Sequence, residues 1–403
     1  MAELFLVVAI LLLSAKLLGA LSVRLGFPSV LGEILAGVLL SASALDILGW
    51  RLLHGPSALS PETMASVLRA LSELGVLSLM FIAGLETDLD KMLKVGWAAA
   101  SSAVGGVLLP FVGGAALGLW GGHGWPASLF IGALLTATSV SITAQTLMEL
   151  KQLSSKEGMA ILGAAIIDDV LGVLVLSFVV AATLGPETGG LGSVARTVGL
   201  MLLYFAAAIA LGRRFFEPLL RRISQARSTQ ITLAAAWSIC LVYAWAAESV
   251  GQVASITGAY LAGALLSRTS FQEELASKTE VFAYSFFVPI FLANVGLQTR
   301  LGSVRGAALF TGLLLLVAVL GKMFGCGLGA YAARFTAMES FRVGVGMISR
   351  GEVGLIIASY GLEHAVIDEA IFSETVLIVV VTTLLTPIGL RFVFPAKGLV
   401  KPV

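Results

Sequence analysis

The stretch AAIIDDVLGVLVL, residues 164–176, sets Asp168 and Asp169 side by side within a long, mostly apolar run. A cation, Lys322, sits mid-run in VLGKMFGCGLGA. A charge held alone at the centre of a membrane helix costs about 2.5–3.5 kcal/mol on insertion scales. Two carboxylates and an ammonium at such depth must therefore be neutralised by one another, by protons, or by a passing cation. Neighbouring residues on a helix point about 100° apart, so Asp168 and Asp169 do not face one group squarely. One carboxylate can pair with Lys322 while the other faces a water-filled path. An ion pair plus a permanently protonated acid would also neutralise the set, but apolar residues would serve stability as well.

Two further stretches carry helix-breaking chemistry. LLTATSVSITAQTL crowds Thr136, Thr138, Ser139, Ser141 and Thr143 into a segment whose hydroxyls can replace lost backbone hydrogen bonds. GVGMISRGEVGLII places Gly344, Gly346, Gly351 and Gly354 around Arg350 and Glu352. Both predict discontinuous helices, although small and hydroxylic residues also serve close helix contacts in membranes. Arg350 and Glu352 admit two readings, a functional role or mutual satisfaction of broken-helix backbone and charge. The remaining polar groups carry weaker expectations. Lys16 is read as structural, Glu33 as structural or gating, and Glu73 and Glu149 as solvated span-end residues. His54, His123 and His364 are assigned to solvated outer surface, and Cys240 and Cys326 to inert packing.

The elements that must position these groups follow from composition. With 58% hydrophobic and 12% charged residues among 403 and a mean hydropathy of +0.99, the chain lies outside the range of soluble domains. It reads as an all-α polytopic membrane protein, and its first apolar run as a retained helix rather than a cleaved signal. Thirteen spans are predicted, at roughly 3–23, 28–46, 70–86, 96–120, 127–148, 157–183, 193–213, 229–248, 252–268, 279–298, 305–333, 340–361 and 371–394. Lys and Arg test the count. Seventeen of the 25 fall in the loops after odd-numbered spans or in the C-terminal tail, five after even-numbered ones, and Lys16, Lys322 and Arg350 inside spans. The odd loops are thus cytoplasmic, the N-terminus outside and the C-terminus inside. No soluble regulatory domain is expected, and with no strand-borne G-x-G-x-x-G loop neither nucleotide nor nucleic acid is an expected partner.

Spans 4-5-6 and 11-12-13 each enclose a broken middle helix, and a separation of seven spans inverts one triplet relative to the other. Discontinuous helices at matching places of inverted repeats point to a secondary-transporter site at the bilayer midplane. The chain also resembles the monovalent cation:proton antiporter superfamily, in particular bacterial NapA-type sodium/proton antiporters. The likeness rests on PSVLGEILAGVLL, LMFIAGLETDL, TATSVSITA, GAAIIDDVLG, GAYLAGALLS, PIFLANVGL, LGKMFG and RGEVGLIIA, in order along nearly the whole chain.

That resemblance implies thirteen helices, with a core of spans at about 96–183 and 305–394 moving against a dimerisation scaffold at about 3–86 and 193–298. It implies that Asp169 binds the cation (Na+ or Li+) and the proton, and that Asp168 contributes to the site and pairs with Lys322. Thr136, Thr138 and Ser139 would form the unwound crossing, with Arg350 and Glu352 by the opposite one. The doubled aspartate resembles electrogenic members, which implies sodium/proton exchange in the plasma membrane as a homodimer, with no cofactor and a role in salt and alkali tolerance. Three alternatives differ in kind. A potassium/proton antiporter would share the fold. An intramembrane aspartyl protease needs two carboxylates converging from facing helices, which adjacent residues do not provide. A passive channel needs a continuous pore and no obligatory proton coupling.

Overall fold

The computed structural model describes residues 2–42, 44–49, 60–87, 90, 94–184, 191–226, 229–298 and 308–394. His54, the loop residues Arg51, Lys91, Arg227, Arg300 and Arg305, and the tail residues Lys397 and Lys401 lie outside them. Every regular element among the described residues is helical. In chain order these are α1 (Ala2–Arg24), α2 (Ser29–Leu40), α3 (Pro61–Leu85), α4 (Gly96–Trp120), α5 (Trp125–Leu134), α6 (Val140–Glu149), α7 (Lys156–Leu184) and α8 (Leu191–Ser224). There follow α9 (Ile231–Ser249), α10 (Ser255–Leu266), α11 (Gln272–Phe282), α12 (Val288–Leu297), α13 (Ala308–Ala332), α14 (Ala337–Gly346), α15 (Glu352–Glu363) and α16 (Glu369–Val393). A single π-turn, Ala283–Phe287, joins α11 to α12 without a break.

Nine described helices are long and apolar enough to cross a bilayer, counting α11 and α12 as one; α2, α5 and α10 are shorter apolar helices. The chain is a multi-span membrane protein. The predicted spans at 127–148 and 340–361 each fall on two short helices, α5/α6 and α14/α15. Elsewhere helices outrun the apolar windows. The span predicted at 193–213 continues to Ser224 as α8, because Arg213, Arg214, Arg221 and Arg222 extend a helix that an i,i+4 pair, Arg221–Glu217 at 2.7 Å, supports in water. The span predicted from 70 begins at Pro61, where the Ser60 side chain accepts from the Thr63 amide at 3.2 Å. Apolar length marks the membrane, whereas capping marks the helix end.

Packing joins α1–α3 to α10–α12, and α4–α7 to α13–α16. The tightest pair is α4 with α13, whose backbones touch at Gly105 and Gly325, each where a Cβ would collide with the other's carbonyl. Small residues are what let membrane helices approach so closely. Between the two sets run the contacts of α6 with α3, α2 with α6, and α2 with α16.

Candidate functional site

Asp168 and Asp169 lie midway along α7, 1% and 6% exposed, and their carboxylates diverge. Asp168 Oδ1 accepts from Lys322 Nζ of α13 at 2.7 Å, a pair with essentially no solvent exposure on either side. Asp168 Oδ2 is buried without a hydrogen-bond partner. Asp169 turns the other way, and its Oδ2 accepts from Thr257 Oγ1 of α10 at 3.3 Å. Beside it is a cavity of about 10 Å³ bounded by Met80 of α3, Val140 of α6, Leu162 and Ile166 of α7, and Tyr260 of α10. That is room for about one water molecule. Asp168 thus belongs to the contact of α7 with α13, and Asp169 to the seam between the two packed sets.

The helix breaks sustain each other. Between α5 and α6 the chain is extended at Ser139, whose amide donates to Ser349 O at 2.9 Å; Ser349 Oγ in turn donates to Ser139 O at 2.6 Å. Thr143 Oγ1 donates to Gly346 O at 2.8 Å, relieving the C-terminal carbonyl of α14. Thr136 Oγ1 donates back to Ala133 O at 2.8 Å, while Thr138 Oγ1 is buried and unpartnered. Arg350, 1% exposed, donates from its Nη1 to Ala137 O at 2.6 Å and from its Nη2 to Ala318 O at 2.7 Å, and its own carbonyl accepts from Thr383 Oγ1 at 2.8 Å. Its Nε has no partner among the described residues. The guanidinium thus satisfies one carbonyl in the break between α5 and α6 and one within the continuous α13. Glu352 opens α15, and its side chain lies outside the described residues.

Several polar groups were read differently or passed over. Glu149 is no solvated span end: its Oε2 accepts from the Ser29 amide at 2.7 Å and its Oε1 from Ser29 Oγ at 2.6 Å, capping α2 from the end of α6. Its partner lies 120 residues away, beyond the reach of local spacing. Lys16 Nζ meets Glu33 Oε1 at 3.0 Å, an ion pair between α1 and α2. Thr257 is unmarked in the sequence because a lone threonine in an apolar helix carries no distinguishing pattern. Glu374, 4% exposed on α16, accepts from Thr311 Oγ1 of α13 at 2.9 Å and leaves Oε2 unpartnered. Its signal was present in the sequence, since it too is a carboxylate in an apolar run.

Mutually bonded helix breaks beside a buried ion pair and a second buried carboxylate fit a secondary-transporter site. The family profile of transmembrane sodium/hydrogen exchangers matches residues 9–396, and the chain belongs to that family. It is 38% identical to the Na+/H+-K+ antiporter GerN of Bacillus cereus over 98% of this chain and 97% of that one. It is 34% identical to the high-affinity Na+/H+ antiporter NhaS3 of Synechocystis over 98% of this chain and 90% of that one. The fold is similar to that of the sodium proton antiporter MjNhaP1 from Methanocaldococcus jannaschii, with a TM-score of 0.69, 13% identity and 96% of each chain covered. The protein is a cation/proton antiporter.

Proposed function

We propose that the chain exchanges Na+ or Li+ for protons electrogenically by alternating access, with cation and protons competing at Asp169 and Asp168. The observation that carries this reading is the divergence of the two carboxylates, Asp168 onto Lys322 within one packed set and Asp169 onto Thr257 across the seam between sets. A cation reaching Asp169 displaces its proton, and competition for one site couples the fluxes without covalent chemistry. Asp168 and Lys322 exchange partners during the cycle. Two protons per sodium would move one net charge, so 100 mV contributes about 2.3 kcal/mol per cycle.

In this reading α4–α7 and α13–α16 form the moving core, and the remaining helices the scaffold of a homodimer. The chain crosses the plasma membrane thirteen times, with its N-terminus outside and its C-terminus in the cytoplasm. Support comes from the sparse contacts between the two helix sets, from the basic bias of alternate loops, and from the Thr257 hydroxyl beside the Asp169 carboxylate, oxygen groups that suit a hard cation. A second reading, exchange that also uses K+, is favoured by the likeness to a relative named an Na+/H+-K+ antiporter.

The deciding experiment is proton movement in proteoliposomes under an imposed pH gradient, with NaCl, LiCl, KCl or choline chloride added, for wild type and Asp169→Asn. Collapse of the gradient by Na+ or Li+ in wild type alone is the expected result. Response to K+ alone transfers the mechanism to that ion, and a response no greater than choline for every cation overturns the assignment.

A further inference from the structure

The membrane-facing side of the α4–α13 contact carries a groove of about 520 Å³ that the transport reading does not use. Its floor is backbone: Gly105 against Gly325, and Ser101 Oγ donating to Gly329 O at 2.8 Å. One wall is a single stripe of α4 at helical spacing from Trp97 to Leu109, and the other runs along α13 from Gly325 to Ala332. Twelve helical steps span about 18 Å, close to the roughly 15 Å of hydrocarbon in one leaflet. The groove therefore begins at one membrane surface and ends near the midplane. The lining is almost wholly apolar, and no side chain fills it because glycines occupy the contact.

The helix ends beside it are basic. Lys94 precedes α4 by two residues, Arg334 follows α13 by two, and both are exposed. Lys156 pairs with Glu339 at 2.9 Å and Arg342 with Glu157 at 2.7 Å. Among the described residues Lys94 and Arg334 form no ion pair. Trp97, 74% exposed, and Tyr331, 61% exposed, stand at the same level, where amphipathic rings favour the headgroup zone.

We propose that this groove binds an anionic phospholipid, one acyl chain lying between α4 and α13 and the headgroup phosphate between Lys94 and Arg334. A single basic mouth on an apolar slot one leaflet deep matches that molecule and no water-soluble anion. The ion pair lies behind the same helix contact: a Cβ at Gly106, next to the lining Gly105, would lie 3.5 Å from Lys322 Nζ. Lipid in the groove thus braces the helix pair that positions Lys322.

The proposal rests on the membrane placement of α4 and α13, and its test reads unfolding rather than transport, so it stands or falls apart from the cation assignment. Purified protein in detergent is heated with phosphatidylglycerol or phosphatidylcholine of identical chains. Wild type is compared with the Lys94→Ala/Arg334→Ala double variant and with Ala332→Phe, which fills the groove from an exposed position. Phosphatidylglycerol is expected to raise the wild-type Tm by several degrees more than phosphatidylcholine, and both variants to lose that difference. Native mass spectrometry should retain one phosphatidylglycerol on wild type and none on the variants. Equal shifts from the two lipids, a phosphatidylglycerol shift surviving in either variant, or the same shift from inorganic phosphate alone overturns it.

Discussion

Removing Lys322 should destabilise the protein far more than removing Lys322 and Asp168 together. The pair is 2.7 Å apart with 0% and 1% side-chain exposure. At an effective dielectric of about 20, its attraction is about 6 kcal/mol, and it opposes a desolvation penalty of several kcal/mol for each ion. The pair is thus near break-even as a whole, while either partner alone bears its penalty without compensation. Breaking a buried pair from one side costs about 3–5 kcal/mol. Lys322→Ala also leaves Asp168 with two orphaned oxygens, since Oδ2 already lacks a partner. Thermal unfolding of the detergent-solubilised protein should therefore rank wild type above Lys322→Ala, with Asp168→Asn/Lys322→Ala recovering much of the loss. Reconstituted Lys322→Ala should also lose the dependence of exchange on membrane potential. Wild-type stability together with wild-type electrogenicity in the single variant would refute the reasoning, as would a double variant no more stable than the single.

Thr257→Val keeps the volume and removes the donor to Asp169. One hydrogen bond of about 0.5–1.5 kcal/mol predicts a change of about 2- to 12-fold in the cation concentration giving half-maximal exchange, and an unchanged value would remove Thr257 from the site. Glu149→Ala strips two hydrogen bonds from Ser29. Bonds to a charged acceptor are worth about 1.5–3 kcal/mol each, so amide exchange over the first turn of α2 should accelerate while that in α9 does not; equal rates would contradict the cap. Glu339, at the start of α14, is held below the usual carboxylate range by the Thr336 amide, assisted by Lys156. A depressed folded-state value stabilises above the unfolded value and is lost as pH falls through the folded one. Wild type should therefore lose its Tm advantage over Glu339→Gln on acidification below about pH 4.5, and a constant difference would argue against the coupling.

Residue composition and order set the solvent of the fold and the groups that matter within it. Apolar length and composition fix a membrane-spanning helical chain, because lipid leaves the backbone no partner but itself. The same penalty makes Asp168, Asp169, Lys322 and Arg350 conspicuous, since a charge in an apolar run is rare unless it is used. Residue type also marked where helices break, as hydroxyls and glycines at 136–143 and 344–354 tolerate what other residues do not. What each group faces is settled by helix packing. That Arg350 holds the carbonyls of Ala137 and Ala318, that Glu149 caps α2, and that Thr257 reaches Asp169 all depend on helices far apart in the chain. Helical spacing relates residues three or four apart, whereas these contacts are set by the packing of one helix on another. Burial follows the same division: an apolar run looks alike whether its face meets lipid or protein, so the carboxylate of Glu374 is legible in the sequence while its partner Thr311 is set by the packing of α16 on α13.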